Sequence, residues 1–154
     1  MFKELRRVDR KISSADIAEL LSKCDYGVLS TMGEDGYPYG VPISYIYMNG
    51  AIYFHSATEG HKLENINYHK KGSFCVVGNT EILADKFTTN YVSAIVFGML
   101  KEVAEEEKEQ ALFGFLEKYS SAHMEKGKAY IASSAHQTKV IKLSIKHVSG
   151  KSRK

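Results

Sequence analysis

Residues 26–55, YGVLSTMGEDGYPYGVPISYIYMNGAIYFH, decide the fold. The run from Tyr26 to Met32 is rich in Val and Leu and reads as a strand. Gly33-Glu34-Asp35-Gly36 reads as a turn, because glycines reach positive φ without strain. Residues 37–48 read as a second, long strand. Asn49-Gly50 then sits between two apolar runs, which is the pattern of a type I′ turn and a tight hairpin. Residues 51–55 form the third strand. Pro38 and Pro42 cannot donate ladder hydrogen bonds, so parts of the second strand are expected at an edge or a bulge.

Working outward, the pattern changes period. Upstream, Ser13 is a candidate N-cap with Asp16 at the capping-box position. Ile17, Leu20, Leu21 and Cys24 follow at helical spacing. Downstream, polar residues 56–60 lead into a helix over 61–69, and Gly72 restarts strand structure over 73–77. Residues 80–89 follow no clear period. Residues 91–103 read as a long strand. Glu105, Glu106 and Glu107 then open a helix, where they suit the helix dipole, and Leu112, Phe115, Leu116 and Tyr119 line one of its faces. A shorter helical piece over 125–134 precedes a last strand over 138–148. The total is about six strands in hairpin order with two or three helices. That is a mainly β protein, a small antiparallel barrel with appended helices, rather than an alternating parallel sheet.

The 154 residues suit a single domain over 1–154 with its own core. Hydrophobic residues at 44% and charged residues at 25% exclude a disordered chain, a collagen and a coiled coil. A net charge of +3 permits an anionic ligand without demanding nucleic acid. The basic stretches 1–11 and 149–154 are expected as flexible ends, and the tail has no aromatics for base stacking. Cys24 and Cys75 are too few for a disulfide framework and read as reduced thiols of a cytoplasmic protein. No apolar run approaches the roughly 20 residues that span a bilayer, so no membrane partner is expected.

Two stretches carry chemistry. The first runs from His55 through Ser56, Ala57, Thr58, Glu59, Gly60, His61 and Lys62 to Asn65, from a strand end into a helix. Open amides at a helix N-terminus favour anions. Ser56 and Thr58 add hydroxyls, Gly60 allows close approach, and His61 and Lys62 add positive charge. A phosphate cradle and a plain helix cap explain these residues equally well. The second stretch is Val41-Pro42-Ile43-Ser44-Tyr45, where a proline frees backbone groups beside apolar side chains. A flat heteroaromatic ring needs that combination, although an edge strand explains it more simply. Six histidines occur, but without metal-ligand spacing. No G-x-S-x-G elbow and no dinucleotide-binding glycine motif is present.

Taken in order, 26–31, 35–45, 52–57 and 60–62 resemble the FMN-binding split-barrel proteins. This is the pyridoxamine 5′-phosphate oxidase-like superfamily, and the 5-nitroimidazole-resistance branch is the most similar. The resemblance implies a six-stranded antiparallel split β-barrel with peripheral helices, and a homodimer with FMN at its interface. It places Pro42, Ile43, Ser44 and Tyr45 beside the isoalloxazine. It places His55, Ser56 and Ala57 at the ribityl and phosphate groups, with Gly60, His61 and Lys62 neutralising the phosphate. Asn65 joins from the helix, Ser93 and Tyr91 from the later strand, and Tyr45 and His55 are the candidates for tuning the flavin. Pyridoxamine-phosphate oxidases proper close their site with an Arg/Trp-containing C-terminal segment. This chain has no tryptophan, so that oxidation is not the expected activity. The implied function is electron transfer from NAD(P)H through FMN to a small acceptor, for instance a nitroaromatic. The alternatives are a flavin store or sensor without turnover, and the same barrel holding haem or a deazaflavin.

Overall fold

The computed structural model describes residues 1–154. The first helix, α1 (Ser14–Lys23), starts where expected: the Ser13 side chain accepts the Asp16 N–H at 3.1 Å. Its buried face, Ile17, Leu20 and Leu21, rests on the sheet. Eight strands follow: β1 (Gly27–Met32), β2 (Pro38–Ile43), β3 (Ile46–Met48), β4 (Ala51–Ser56), β5 (Lys71–Val77), β6 (Glu81–Leu83), β7 (Thr88–Val103) and β8 (Lys139–Arg153). Helix α2 (His61–Tyr68) lies between β4 and β5. Helices α3 (Glu105–Tyr119) and α4 (Met124–Ser134) lie between β7 and β8. Asn49 and Gly50 both have positive φ, 52° and 71°, as a type I′ hairpin requires.

All pairings are antiparallel, in the order β2-β1-β5-β7-β8-β4-β3, with β6 added to β7. The two outermost strands, β2 and β3, are consecutive in the chain and joined through Ser44 and Tyr45. The sheet therefore curls back on itself as a split barrel. β2 has a single partner strand, and this edge position tolerates Pro38 and Pro42.

Three expectations need correction. The long strand over 37–48 is broken at Ser44 and Tyr45, because side chains of α3 take the backbone groups of Tyr45 away from any ladder. Residues 80–89, which follow no sequence period, form a short hairpin in which β6 pairs with the start of β7. These two changes raise the strand number from six to eight within the same class. The 149–154 end is not a free tail: β8 continues to Arg153 opposite Tyr91 of β7, and the Arg153 guanidinium donates to Asn90 Oδ1 at 2.7 Å. At the other end, Lys11 bridges to Lys151, and the Phe2 ring stacks on His147 at 4.7 Å. Alternating Ser, Gly and Lys in the tail hid a strand whose stability comes from its partner.

β4 separates two cores. Ile52 and Phe54 point into the barrel with Leu29, Phe74, Val96 and Leu143. Ala51 and Tyr53 point the other way, against Ala111, Leu112 and Phe115 of α3. Burial on both faces explains why β4 is a continuous apolar run without alternation. The Tyr53 hydroxyl donates to Glu107 Oε2 at 2.6 Å, and Lys142 donates to the same oxygen at 2.9 Å, which fixes α3 on the sheet.

β7 is 16 residues long and pairs with β8 along most of its length, with one register shift at Phe97/Gly98. A Cβ on Gly98 would lie 2.1 Å from the Ser144 carbonyl oxygen, a backbone atom. Gly98→Ala is therefore expected to destabilise the protein by about 1–3 kcal/mol, measured by urea unfolding. An unchanged midpoint would show that the bulge relaxes freely.

Candidate functional site

Extending the β3–β4 register two residues past its last pair, Ile46↔Tyr53, would set Ser44 opposite His55. The two chemistry-bearing stretches of the sequence thus meet at one end of the barrel, and the ladder stops short of both. Helix α3 lies across this opening. The His55 ring meets Phe115 edge-on at 4.6 Å, and Phe115 stacks on Tyr119 at 6.1 Å. One turn of α3 therefore spans the distance from His55 to the Ser44–Tyr45 corner.

The corner is held by Lys118 and Tyr119. The Lys118 ammonium donates to the carbonyls of Cys24 (2.7 Å) and Tyr45 (2.9 Å). The Tyr119 hydroxyl lies 2.6 Å from the Asp25 carbonyl and 2.9 Å from the Tyr45 carbonyl, and accepts the Tyr45 N–H at 3.1 Å. Sequence reading assigned Tyr119 only to an apolar helix face and passed over Lys118. An aromatic pair at i, i+4 looks the same whether it fills a core or frames a site.

At the other stretch, Gly60 takes φ +145°, a region that favours glycine. Its carbonyl accepts from Leu63 and Glu64, both at 3.1 Å. No side chain caps α2, so the amides of His61 and Lys62 at its start have no protein acceptor. Lys62 lies close enough to His55 to act on it. The His55 imidazole is held below its usual value, first by loss of solvent beside Phe115 and then by the Lys62 charge. His55 is therefore neutral at pH 7. The loop thus combines open amides, a lysine and a neutral imidazole, a set of donors for an oxyanion.

The remaining predicted residues divide. Pro42 and Ser44 are exposed, and Ile43 is half-buried. Ala57, Gly60 and His61 are exposed, and the His61 ring stacks on Tyr39 of β2 at 3.9 Å. Tyr39 is a second residue that sequence reading missed. Ser56 is buried, and its hydroxyl donates to the Ala57 carbonyl at 2.8 Å. Asn65 is also buried: its amide donates to Thr31 Oγ1 at 3.1 Å, so it joins α2 to β1. The Tyr45 side chain is fully buried, with its hydroxyl 2.5 Å from the Leu21 carbonyl oxygen. Burial pushes that phenol above its usual value, and the Tyr45 backbone is already taken by Tyr119 and Lys118, so Tyr45 shapes the corner while the neighbouring Ser44 is the exposed residue there.

Ser93 lies apart from the others. It pairs with Lys151 near one end of β8, whereas Ser56 pairs with Lys139 near the other. Within one chain it cannot reach the loop at 55–62. It sits on the outward face of β7, on the same side as Ile95 and Phe97. Tyr91 shares that face, where Arg10 donates to its hydroxyl at 3.4 Å.

A cavity of about 790 Å³ lies elsewhere. It lies between α1, the N-terminal segment and the ends of β5 and β8, and is lined by charges of both signs such as Asp9, Arg10, Asp16 and Lys23. None of the predicted site residues lines it. The β2–β3 corner and the α2 loop are the candidate site, because the open amides of α2 and the exposed Ser44 lie there. No group of three or more His, Cys, Asp or Glu side chains is arranged to hold a metal. No helix is long and apolar enough to cross a membrane.

Comparison with known proteins bears on the fold. Among solved structures, a candidate 5-nitroimidazole antibiotic resistance protein from Bacteroides thetaiotaomicron superposes with a TM-score of 0.79 at 22% identity, over 92% of this chain and 86% of its own. The flavocytochrome Anf3 from Azotobacter vinelandii gives 0.83 at 19% identity, over 98% of this chain and 72% of its own. An FAD-binding protein from Mesorhizobium loti gives 0.67 at 20% identity, over 94% and 98%. No curated protein matches by sequence. The family model described as pyridoxamine 5′-phosphate oxidase matches residues 13–152, almost the whole chain. The chain belongs to that family, and its split barrel is the fold that these relatives share.

Proposed function

We propose that the protein binds FMN in the opening between the β2–β3 corner and the α2 loop, and that it is a flavin-dependent oxidoreductase. The observation that carries this reading is the set of uncapped α2 amides beside Lys62 and His55, adjoining a stretch of backbone released from the sheet. The loop suits the phosphate. The corner, with Ser44 beside the Tyr119 hydroxyl and Pro42 and Ile43 just before it in the chain, suits a flat ring that needs both stacking and edge hydrogen bonds. Structural relatives described as flavocytochrome and FAD-binding support a flavin. FMN would supply the redox chemistry, with NAD(P)H as donor and a small molecule as acceptor. This chain supplies binding, orientation and charge. The two free thiols, Cys24 and Cys75, fit a reducing compartment such as the cytoplasm.

An absorbance spectrum from about 300 to 600 nm during an FMN titration tests the reading. Flavin bands with equimolar saturation support it. A Soret band on adding haem, with no response to FMN, would transfer the barrel to haem, as in the haem-binding relative from Mycobacterium smegmatis. Saturation without NADH or NADPH oxidation would make the protein a flavin carrier.

The reading includes a homodimer. Val28 and Met32 of β1 and Ile95, Phe97 and Met99 of β7 face outward, each 36–39% exposed. The registers Val28↔Cys75↔Ile95 and Ser30↔Ser73↔Phe97 set these residues in continuous rows across three strands. An apolar sheet face of this kind suits a second copy of the chain. It also accounts for Ser93, which lies on that face and far from the loop of its own chain. Phe97→Glu is expected to weaken the dimer by tenfold or more, read by sedimentation. An unchanged sedimentation coefficient would remove this face as the interface.

A further inference from the structure

The half-buried ammonium of Lys118 has no carboxylate within 4 Å. Two of its protons go to carbonyls, and it lies 3.8 Å from the centroid of the Tyr45 ring. Burial pulls its pKa below the usual lysine value, and Asp25, the nearest acid to act on it, opposes the shift from a surface position. Buried charges in proteins are normally paired, and the direct contacts of this one are only carbonyl dipoles and a ring face, with Asp25 acting from further away. The position matters as well. Lys118 and Tyr119 together hold the Tyr45 backbone out of the sheet, and that backbone adjoins the exposed Ser44.

We propose that Lys118 is a positioning residue that fixes the Ser44–Tyr45 corner and places a positive charge with no contacting carboxylate behind that corner, so that the pocket favours a flavin in its reduced, more negatively charged form. This inference rests on the flavin reading above. It adds which side chain of this chain sets the potential of the bound cofactor. The charge acts through the Tyr45 carbonyl and needs no direct contact with the ring.

The test measures the midpoint potential of FMN bound to the full-length protein, with the affinity for oxidised FMN measured alongside. Lys118→Gln keeps an N–H donor for the carbonyls and removes the charge, whereas Lys118→Arg keeps the charge. The expected result is that Lys118→Gln loses about tenfold in its preference for reduced over oxidised flavin. For a two-electron couple that lowers the midpoint by about 30 mV. Lys118→Arg should stay at the wild-type value. A merely structural lysine would weaken FMN binding in both redox states equally and leave the midpoint unchanged, and that outcome overturns the inference. If Lys118→Gln does not fold, Asp25→Asn on the exposed segment after α1 carries the test with opposite sign: the midpoint should rise, and an unmoved value overturns the inference. Failure of the flavin reading is distinct, because the wild-type protein would then show no flavin bands on titration.

Discussion

Replacing Phe74 by alanine is expected to cost about 3–5 kcal/mol of folding stability. Phe74 has no solvent exposure and sits between two other rings. Tyr45 lies at 4.7 Å and Phe54 at 5.2 Å, both edge-on. The space it fills is reserved by a glycine: a Cβ on Gly27 would fall 2.3 Å from the tip of the Phe74 ring. Alanine would leave a cavity that its neighbours cannot readily close, since Phe54 is held in the β4 ladder and the Tyr45 backbone by Lys118 and Tyr119. For a domain of this size the loss corresponds to a fall in Tm of about 6–20 °C, read by thermal unfolding. Phe74→Leu should lose less, because most of the volume remains. A smaller loss for alanine than for leucine would mean that the core repacks around the gap. The site should respond too. Phe74 supports the Tyr45 ring from below, and the Tyr45 backbone forms the β2–β3 corner.

Replacing Lys62 by alanine is expected to weaken FMN binding by about 10- to 100-fold. A hydrogen bond to a charged group contributes about 1.5–3 kcal/mol, and each 1.4 kcal/mol is a factor of ten. Lys62 stands at the start of an uncapped helix beside a neutral His55, so it is the chief positive charge offered to a phosphate there. Quenching of flavin fluorescence measures the affinity. Riboflavin, which lacks the phosphate, supplies the control: it should bind wild type and variant alike. Added salt should weaken FMN binding to the wild type more than to the variant. Equal loss for FMN and riboflavin would mean that Lys62 supports the loop and does not meet the phosphate.

Much of this was legible in the chain. The Ser13 cap, the Asn49-Gly50 hairpin and the acidic start of α3 are local features, and local chemistry is written in neighbouring residues. The open loop at 56–62 was legible for the same reason. What escaped detection was set by distant partners. Residues 149–153 form a strand because β7 lies beside them. The break at Ser44–Tyr45 exists because Lys118 and Tyr119, more than 70 positions away, take up the backbone of Tyr45. Asn65 and Tyr45 were singled out because their types suit a ligand, and residue type did not reveal that both side chains are buried. No reading of residue type alone separates an amide aimed at a ligand from one that joins a helix to a strand.

The edges of the sheet also limit how the protein can assemble. An open sheet edge invites another strand, and repeated addition leads to fibres. Here one edge is β2, which carries two prolines within six residues, and the other is β3, only three residues long. Neither is a usable template for a ninth strand from another molecule. Growth by strand addition is disfavoured at both of these ends, and one broad face carries a continuous apolar patch. A face that meets its own twin is consumed in one encounter, so association stops at a finite particle. The two prolines of β2 thus guard that edge of the sheet against strand addition.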